Sequence, residues 1–274
     1  MQTYDSDGNG TADSTSRLTQ SFDSHGNAIG SVQTYDYDAN GTADYSTGTT
    51  QSFDGHGNAL SIVYAVDSAG DGTVDSIYSV TQSFDSYGHL LSSVLKYDYD
   101  ADGTADAINN TTQSFDGHGR LLSRVQTSDN NADGAVDSIT TVTQSFDSHG
   151  NLLRAATAYD WNGDGTADYI EITTQSFDSR GNLLRSVQSY DWNADGTVDF
   201  IFSTTTQSFD SHGNLLSSVR ALDINGDGTA DRIYSTIRSF DSHGILCSSV
   251  DTVDYNADGT ADSVSTTTYA KSRV

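Results

Sequence analysis

A nine-residue string, Asp-x-(Asp/Asn)-x-(Asp/Asn)-Gly-x-x-Asp, opens nine times along the chain, at Asp5, Asp36, Asp67, Asp98, Asp129, Asp160, Asp191, Asp223 and Asp254, with the third position filled in eight of them. Successive copies start 31 residues apart, except for 32 between Asp191 and Asp223. The extra residue reads as an added Thr in the run Ser203 to Thr206, because Asp199 to Phe209 is one residue longer than Asp168 to Phe177. A fixed period of this length marks stacked units, none of which can bury its apolar face alone. The expectation for residues 1–274 is one elongated array, eight full repeats and a partial ninth, rather than two globular domains.

Within each string the oxygen-bearing residues fall at alternate positions. Position 3 holds Asp7, Asp38, Asp100, Asn131, Asn162, Asn193, Asn225 or Asn256, and position 5 holds Asn9, Asn40, Asp71, Asp102, Asp133, Asp164, Asp195, Asp227 or Asp258. Position 9 is always acidic: Asp13, Asp44, Asp75, Asp106, Asp137, Asp168, Asp199, Asp231 and Asp262. Position 7, which would offer its backbone carbonyl, is Thr11, Thr42, Thr73, Thr104, Ala135, Thr166, Thr197, Thr229 or Thr260. Calcium takes six to eight oxygens at about 2.3–2.6 Å, and ligands at positions 1, 3, 5, 7 and 9 with Gly at position 6 meet that need. Gly fills position 6 in every copy, where the chain must turn sharply. The expected cofactor is Ca²⁺, about one ion per repeat and up to nine in all. Metal-free turns are the competing reading, since Asp, Asn and Gly also build ordinary turns. Against it, several carboxylates in one short loop repel each other unless a cation intervenes.

Two departures weaken single sites. Ala69 removes the side-chain oxygen at position 3 of the third loop, and the bidentate Glu at position 12 of an EF-hand occurs only as Glu171. Missing that ligand points to weak binding, of order 10⁻⁴–10⁻³ M, as in extracellular modules. The expected location is therefore extracellular.

Charge distribution agrees with this reading. The net charge is −26, and 28 of the 38 acids lie inside the nine loops, where a disordered acidic tail would run them in blocks. Such a balance argues against nucleic acid and anionic membranes as partners. No apolar run reaches the length of a membrane span, and Met1 to Asp5 lacks the basic and apolar regions of a secretory signal, so export is expected to use another route or a segment not shown. Cys247 stands alone and offers no internal disulfide.

Between loops a second mark recurs, as in Ser145-Phe146-Asp147-Ser148-His149-Gly150-Asn151. Asp followed three residues later by Gly suits a type I turn closed by a left-handed Gly. The flanking runs, such as Tyr169 to Phe177 and Leu183 to Tyr190, are rich in β-branched and aromatic residues. The expected fold is all-β: an elongated, solenoid-like tandem-repeat array of β-hairpins, about 31 residues per repeat, one calcium loop in each. Antiparallel hairpins are preferred, and a parallel solenoid stays open. Recurrent Ile, Phe, Leu and Tyr positions, for example Ile170, Phe177, Leu184 and Tyr190, would stack into apolar ladders. His25, His56, His118, His149, His212 and His243 share one turn slot with Tyr87 and Arg180, which favours solvent-exposed turn residues over metal ligands. Trp161 and Trp192, inside loops, are expected to pack against the next loop rather than to stack on sugars.

The loops resemble the Asp-rich calcium repeats of dockerins and thrombospondin type 3 modules, and Phe-Asp-Ser-His-Gly-Asn-Leu-Leu resembles the YD (RHS) repeats of bacterial secreted shells. Over its whole length the chain is similar to bacterial calcium-binding tandem-repeat proteins that polymerise into extracellular matrix filaments. That resemblance implies calcium-dependent, head-to-tail self-assembly in a biofilm or matrix. Both ends open straight into full loops without a polar cap, and unpaired β edges template further pairing, which makes the expected partner a second copy of the chain. The alternative is a secreted, calcium-stabilised adhesin binding a glycan or surface. No catalytic family pattern is matched, and nine near-identical sites do not suit catalysis, so no enzyme is expected. Thr-rich strands also admit an ice-binding reading, although Thr suits any β surface.

Overall fold

The computed structural model describes residues 1–269. These contain eighteen strands and no helix: β1 (Gln2–Tyr4), β2 (Ser14–Phe22), β3 (Ala28–Asp36), β4 (Tyr45–Phe53), β5 (Ala59–Asp67), β6 (Ser76–Phe84), β7 (Leu90–Asp98), β8 (Ala107–Phe115), β9 (Leu121–Asp129), β10 (Ser138–Phe146), β11 (Leu152–Asp160), β12 (Tyr169–Phe177), β13 (Leu183–Asp191), β14 (Phe200–Phe209), β15 (Leu215–Leu222), β16 (Arg232–Phe240), β17 (Leu246–Asp254) and β18 (Ser263–Thr268). Contacts group them into two compact units, one of residues 1–139 with 162–164, the other of 140–161 with the described residues from 165 onward. In the first unit β1 to β9 pair in sequence order, each antiparallel to the next. The second repeats this from β11 to β18. The chain is a tandem array of β-hairpins, and the antiparallel alternative is the one adopted.

Two connections alternate, and local chemistry sets both. At the short turns the backbone N–H of Gly88 donates to the Asp85 carbonyl at 3.1 Å, and that of Asp85 donates to the His89 carbonyl at 3.0 Å. Gly88 sits at φ 86°, the left-handed conformation that Gly adopts without a Cβ penalty. The hairpin then shifts register: Ser83 faces Ser92 while Phe84 faces Leu90, leaving Leu91 as the extra residue of a bulge. The recurrent second Leu of the turn motif is thus a bulge residue, repeated at Leu60, Leu122, Leu184 and Leu216. At the long connections the loop closes through position 9, whose N–H donates to the residue before the loop, as Asp106 does to the Tyr97 carbonyl at 2.7 Å.

The irregular repeat is absorbed earlier than the Thr run suggested. In the β13–β14 ladder Ser189 faces Ile201 and Gln188 faces Ser203, so Phe202 is the bulged residue. Ser203 is buried there, and its hydroxyl donates to Gln188 Oε1 at 2.9 Å. A bulge beside the loop restores the register for the Thr residues beyond it, which pair regularly with β15.

The apolar ladders do not become a covered core. Among the described residues of each unit a strand packs only against its sequence neighbours, and no second layer lies over either sheet face. Ala107, Ala156, Val187 and Leu222 are the buried apolar residues among those described, while Ile201 is 47% and Leu184 37% exposed. More carboxylates are buried than hydrocarbons: Asp36, Asp67, Asp98, Asp129, Asp160, Asp191, Asp223 and Asp254, the first residue of every loop but one. Burying a charge is costly unless it is hydrogen-bonded or paired, so the loops, rather than a hydrocarbon core, are where this fold is specified.

Candidate metal centres

Each loop begins where a strand ends. The opening Asp is the last residue of its strand, as in β3, β5, β7, β9, β11, β13 and β17, which directs its carboxylate back into the turn that follows. In all nine loops one oxygen of this Asp accepts the N–H of the position-6 Gly, at 2.8 Å for Gly10 on Asp5 and Gly41 on Asp36, and at 3.0 Å for Gly103 on Asp98 and Gly196 on Asp191. The position-9 Asp accepts the N–H of position 2 in every copy, for example Tyr99 on Asp106 at 2.6 Å and Trp161 on Asp168 at 2.8 Å. Two carboxylates thus clasp the loop backbone from opposite ends, whatever residue stands at position 2.

Position 3 decides how many acids converge. Where it is Asp, oxygens of positions 1, 3 and 9 lie within 4.8 Å of one another: Asp5, Asp7 and Asp13; Asp36, Asp38 and Asp44; Asp98, Asp100 and Asp106. At position 5 the side-chain amides of Asn9 and Asn40 donate to Asp7 and Asp38 Oδ2 at 2.8 Å, whereas Asp102 does not join the group of the fourth loop. In the fourth loop Asp102 Oδ1 accepts the Thr104 N–H at 2.7 Å and also the Thr104 hydroxyl, and that hydroxyl holds the Asp102 carboxyl below its ordinary value. Asp195 is held low in the same way by Thr197. The Gly10 N–H lowers Asp5, and the Ser6 hydroxyl lowers Asp13. These groups are ionised at neutral pH, as oxygen ligands for a hard cation must be.

A calcium ion fits the fourth loop on a further observation. Asp98 is 8% exposed, and its Oδ1 has no hydrogen-bond partner although Oδ2 is bonded to Gly103. Asp129 and Asp191, 8% and 1% exposed, present the same orphaned Oδ1. A buried, unpartnered carboxylate oxygen in an all-oxygen donor set is what a hard divalent cation would complete. With calcium bound, positions 1, 3 and 9 would hold it, and the ion would supply the opposing charge.

Other sequence candidates take different places. Glu171, the position-12 acid, stands on β12 opposite Tyr190, and its Oε1 accepts the Tyr169 hydroxyl at 3.3 Å. Burial and this carboxylate push the Tyr169 hydroxyl up to about 12. The six turn His residues are exposed, as expected, and their N–H groups cap the turn Asp, as His149 does on Asp147 at 2.8 Å. Trp161 and Trp192 meet rings of their own flanking strands, Trp161 on Tyr169 and Trp192 on Phe200. They are 64% and 58% exposed, with Trp161 lying over strand residues: its ring stacks on Tyr169 at 6.1 Å and on Tyr159 at 6.5 Å. Side chains two apart along an extended chain share a face, which is why Tyr159 and Trp161 meet.

One structural feature had no reading in the sequence. Position 4 is left-handed throughout, at φ 67–75° in Gly8, Gly70, Gly163 and Gly226, and at φ 50–54° in Ala39, Ala101, Ala132, Ala194 and Ala257. The alternation of Gly and Ala at that slot was the available signal.

No protein-family model and no curated protein matches the chain. Solved structures similar to it include that of TcdB2-TccC3-Cdc42, with 12% identity and a TM-score of 0.24 over 94% of this chain, which spans only 19% of that chain. Another is a porin-like protein from Bacteroides uniformis, with 10% identity and a TM-score of 0.29 over 93% of each chain. Likeness at this level carries nothing about activity, location or partners.

Proposed function

We propose that the chain is a calcium-binding structural repeat protein that works outside the cell and assembles head to tail into filaments of a biofilm or extracellular matrix. The observation that carries the metal part of this reading is the buried, orphaned Asp98 Oδ1 within the Asp98, Asp100 and Asp106 group. Its physical content is a fold with little buried hydrocarbon in which the buried Asp98, Asp129 and Asp191 each leave one carboxylate oxygen unpartnered, so ion binding becomes folding free energy. The lack of a position-12 carboxylate in all loops but that of Glu171 favours weak sites, filled at the high calcium levels found outside cells. Assembly is supported by the repeat itself: the main-chain pairing that joins β17 to β18 is the pairing that would add a strand from a second copy.

Calorimetric titration with Ca²⁺, thermal unfolding with and without chelator, and electron microscopy test the reading. Binding at several sites, a higher unfolding temperature in calcium, and calcium-dependent filaments are expected. Absence of binding at millimolar Ca²⁺ removes the metal part, and single particles under saturating calcium remove the filament part.

The adhesin alternative gains support from a row of aromatic rings in the second unit. Tyr159, Tyr169, Tyr190 and Phe200 follow one another across β11 to β14 at 5.7, 6.0 and 5.6 Å between ring centres. A line of rings beside the exposed Glu171 suits a neutral polysaccharide, and retention of monomers on such a polymer would favour that reading.

A further inference from the structure

The nine loops divide according to what the opening Asp does with its second oxygen. At three of the loops with Gly in position 4 its N–H reaches that oxygen: Gly8 donates to Asp5 Oδ1 at 2.7 Å, Gly70 to Asp67 Oδ1 at 2.6 Å and Gly226 to Asp223 Oδ1 at 2.7 Å. Where position 4 is Ala101, Ala132 or Ala194, the Oδ1 of Asp98, Asp129 or Asp191 is buried and unpartnered. In two other Ala loops a longer bond serves, from Asn40 to Asp36 at 3.1 Å and from Asn256 to Asp254 at 3.3 Å. The cause is steric. A Cβ confines position 4 to φ 50–54°, a narrow left-handed well, while Gly opens to 67–75° and swings its N–H onto the carboxylate.

We propose that this makes the array a graded calcium sensor: the loops opened by Asp98, Asp129 and Asp191 bind Ca²⁺ first, and those opened by Asp5, Asp67 and Asp223 bind last. The inference rests on the reading of the loops as calcium sites and goes beyond it, by assigning an order of filling to one backbone position. In the first class the empty loop holds an unsatisfied buried charge that the ion relieves. In the second a backbone N–H already satisfies that oxygen, so the ion gains less by arriving. The Asp98 loop, with three converging carboxylates and an orphaned oxygen, leads the series. Calcium would thus rigidify separate stretches of the array at separate concentrations, instead of switching it at one.

The test is a Ca²⁺ titration of the full chain by calorimetry, together with Trp fluorescence in a Trp161→Phe background that leaves Trp192, inside the Asp191 loop, as sole reporter. Two phases are expected, the tighter integrating to about three ions and at least fivefold tighter, the ratio that about 1 kcal/mol gives. Trp192 should respond in that first phase. Ala101→Gly should lower the tight stoichiometry by one. Ala39→Gly, in a loop whose Asp36 oxygen already has a partner, should leave it unchanged. A single affinity for all sites, a late Trp192 response, or an unaltered tight phase in Ala101→Gly overturns the proposal while leaving calcium binding in place. No Ca²⁺ uptake at all overturns the calcium reading itself and the proposal with it.

Discussion

Arg120 closes its own turn on Asp116: its backbone N–H lies 3.0 Å from Asp116 Oδ1, its Nε 2.7 Å from Oδ2, and a terminal guanidinium nitrogen 2.6 Å from the same oxygen. The backbone bond first, with the guanidinium beside it, takes the Asp116 carboxyl from 3.8 to about 2. Because the folded value lies below the unfolded one, this stabilisation is fully present above about pH 4 and is lost as pH falls towards 2. Carboxyl-resolved NMR titration should place the Asp116 midpoint near 2. Arg120→Asn, which recreates the Asn27 pairing of the first turn, should raise that midpoint yet keep it below 3.8. An unmoved midpoint would show that the side chain contributes nothing.

The other turns depend on one carboxylate each. Asp147 accepts the N–H groups of His149 and Asn151 at 2.8 and 2.9 Å, and the Asn151 side-chain amide at 2.9 Å. Asp147→Ala should lower the midpoint of urea unfolding, because three donors of the turn lose their acceptor. His149→Ala, at an exposed slot that also takes Tyr87 and Arg180, should stay within about 0.5 kcal/mol.

Two glycines of the third loop should differ sharply. A Cβ on Gly72, at φ 87°, meets nothing within 4 Å, so Gly72→Ala should cost only the left-handed penalty of about 1–2 kcal/mol. A Cβ on Gly70 would lie 2.0 Å from the Ala43 carbonyl oxygen of the preceding loop. Gly70→Ala should therefore cost distinctly more, because backbone must move to admit it. Equal melting temperatures for the two variants would contradict this packing of one loop on the next.

Charge removal should change sign with the metal. Asp100 is exposed and sits within 4.8 Å of the Asp98 and Asp106 carboxylates. Asp100→Asn should slightly stabilise the chain in chelator, by relieving like-charge repulsion, and weaken calcium binding at that loop by about tenfold. Thermal unfolding in both conditions reads the two effects; a variant less stable in chelator would show that Asp100 serves the loop backbone rather than an ion.

The regularity of the chain made much of this legible in the amino-acid order. Asp147 and Gly150 announce a turn because the carboxylate caps N–H groups nearby in the chain, and a left-handed Gly needs no distant partner. The oxygen spacing from Asp98 to Asp106 is likewise a local pattern. Phe202 was not legible, since an inserted residue can be absorbed anywhere along the strand until cross-strand pairing chooses the place. Nor was Trp161, whose neighbour Tyr169 lies across the loop on β12.

What the sequence alone determined is the repeat, the turns, the antiparallel hairpin preference and the Asp-rich loops, all products of conformational preference within a few residues. What only the tertiary structure decided is which groups are enclosed. Pairing each strand with its sequence neighbours leaves the apolar ladders half exposed and buries the opening Asp of the loops instead. Burial is a property of neighbours across strands, and a donor for the second oxygen is not read from position 4 alone: Ala39 and Ala101 share a left-handed φ of 54° and 53°, yet Asp36 Oδ1 has a partner and Asp98 Oδ1 has none.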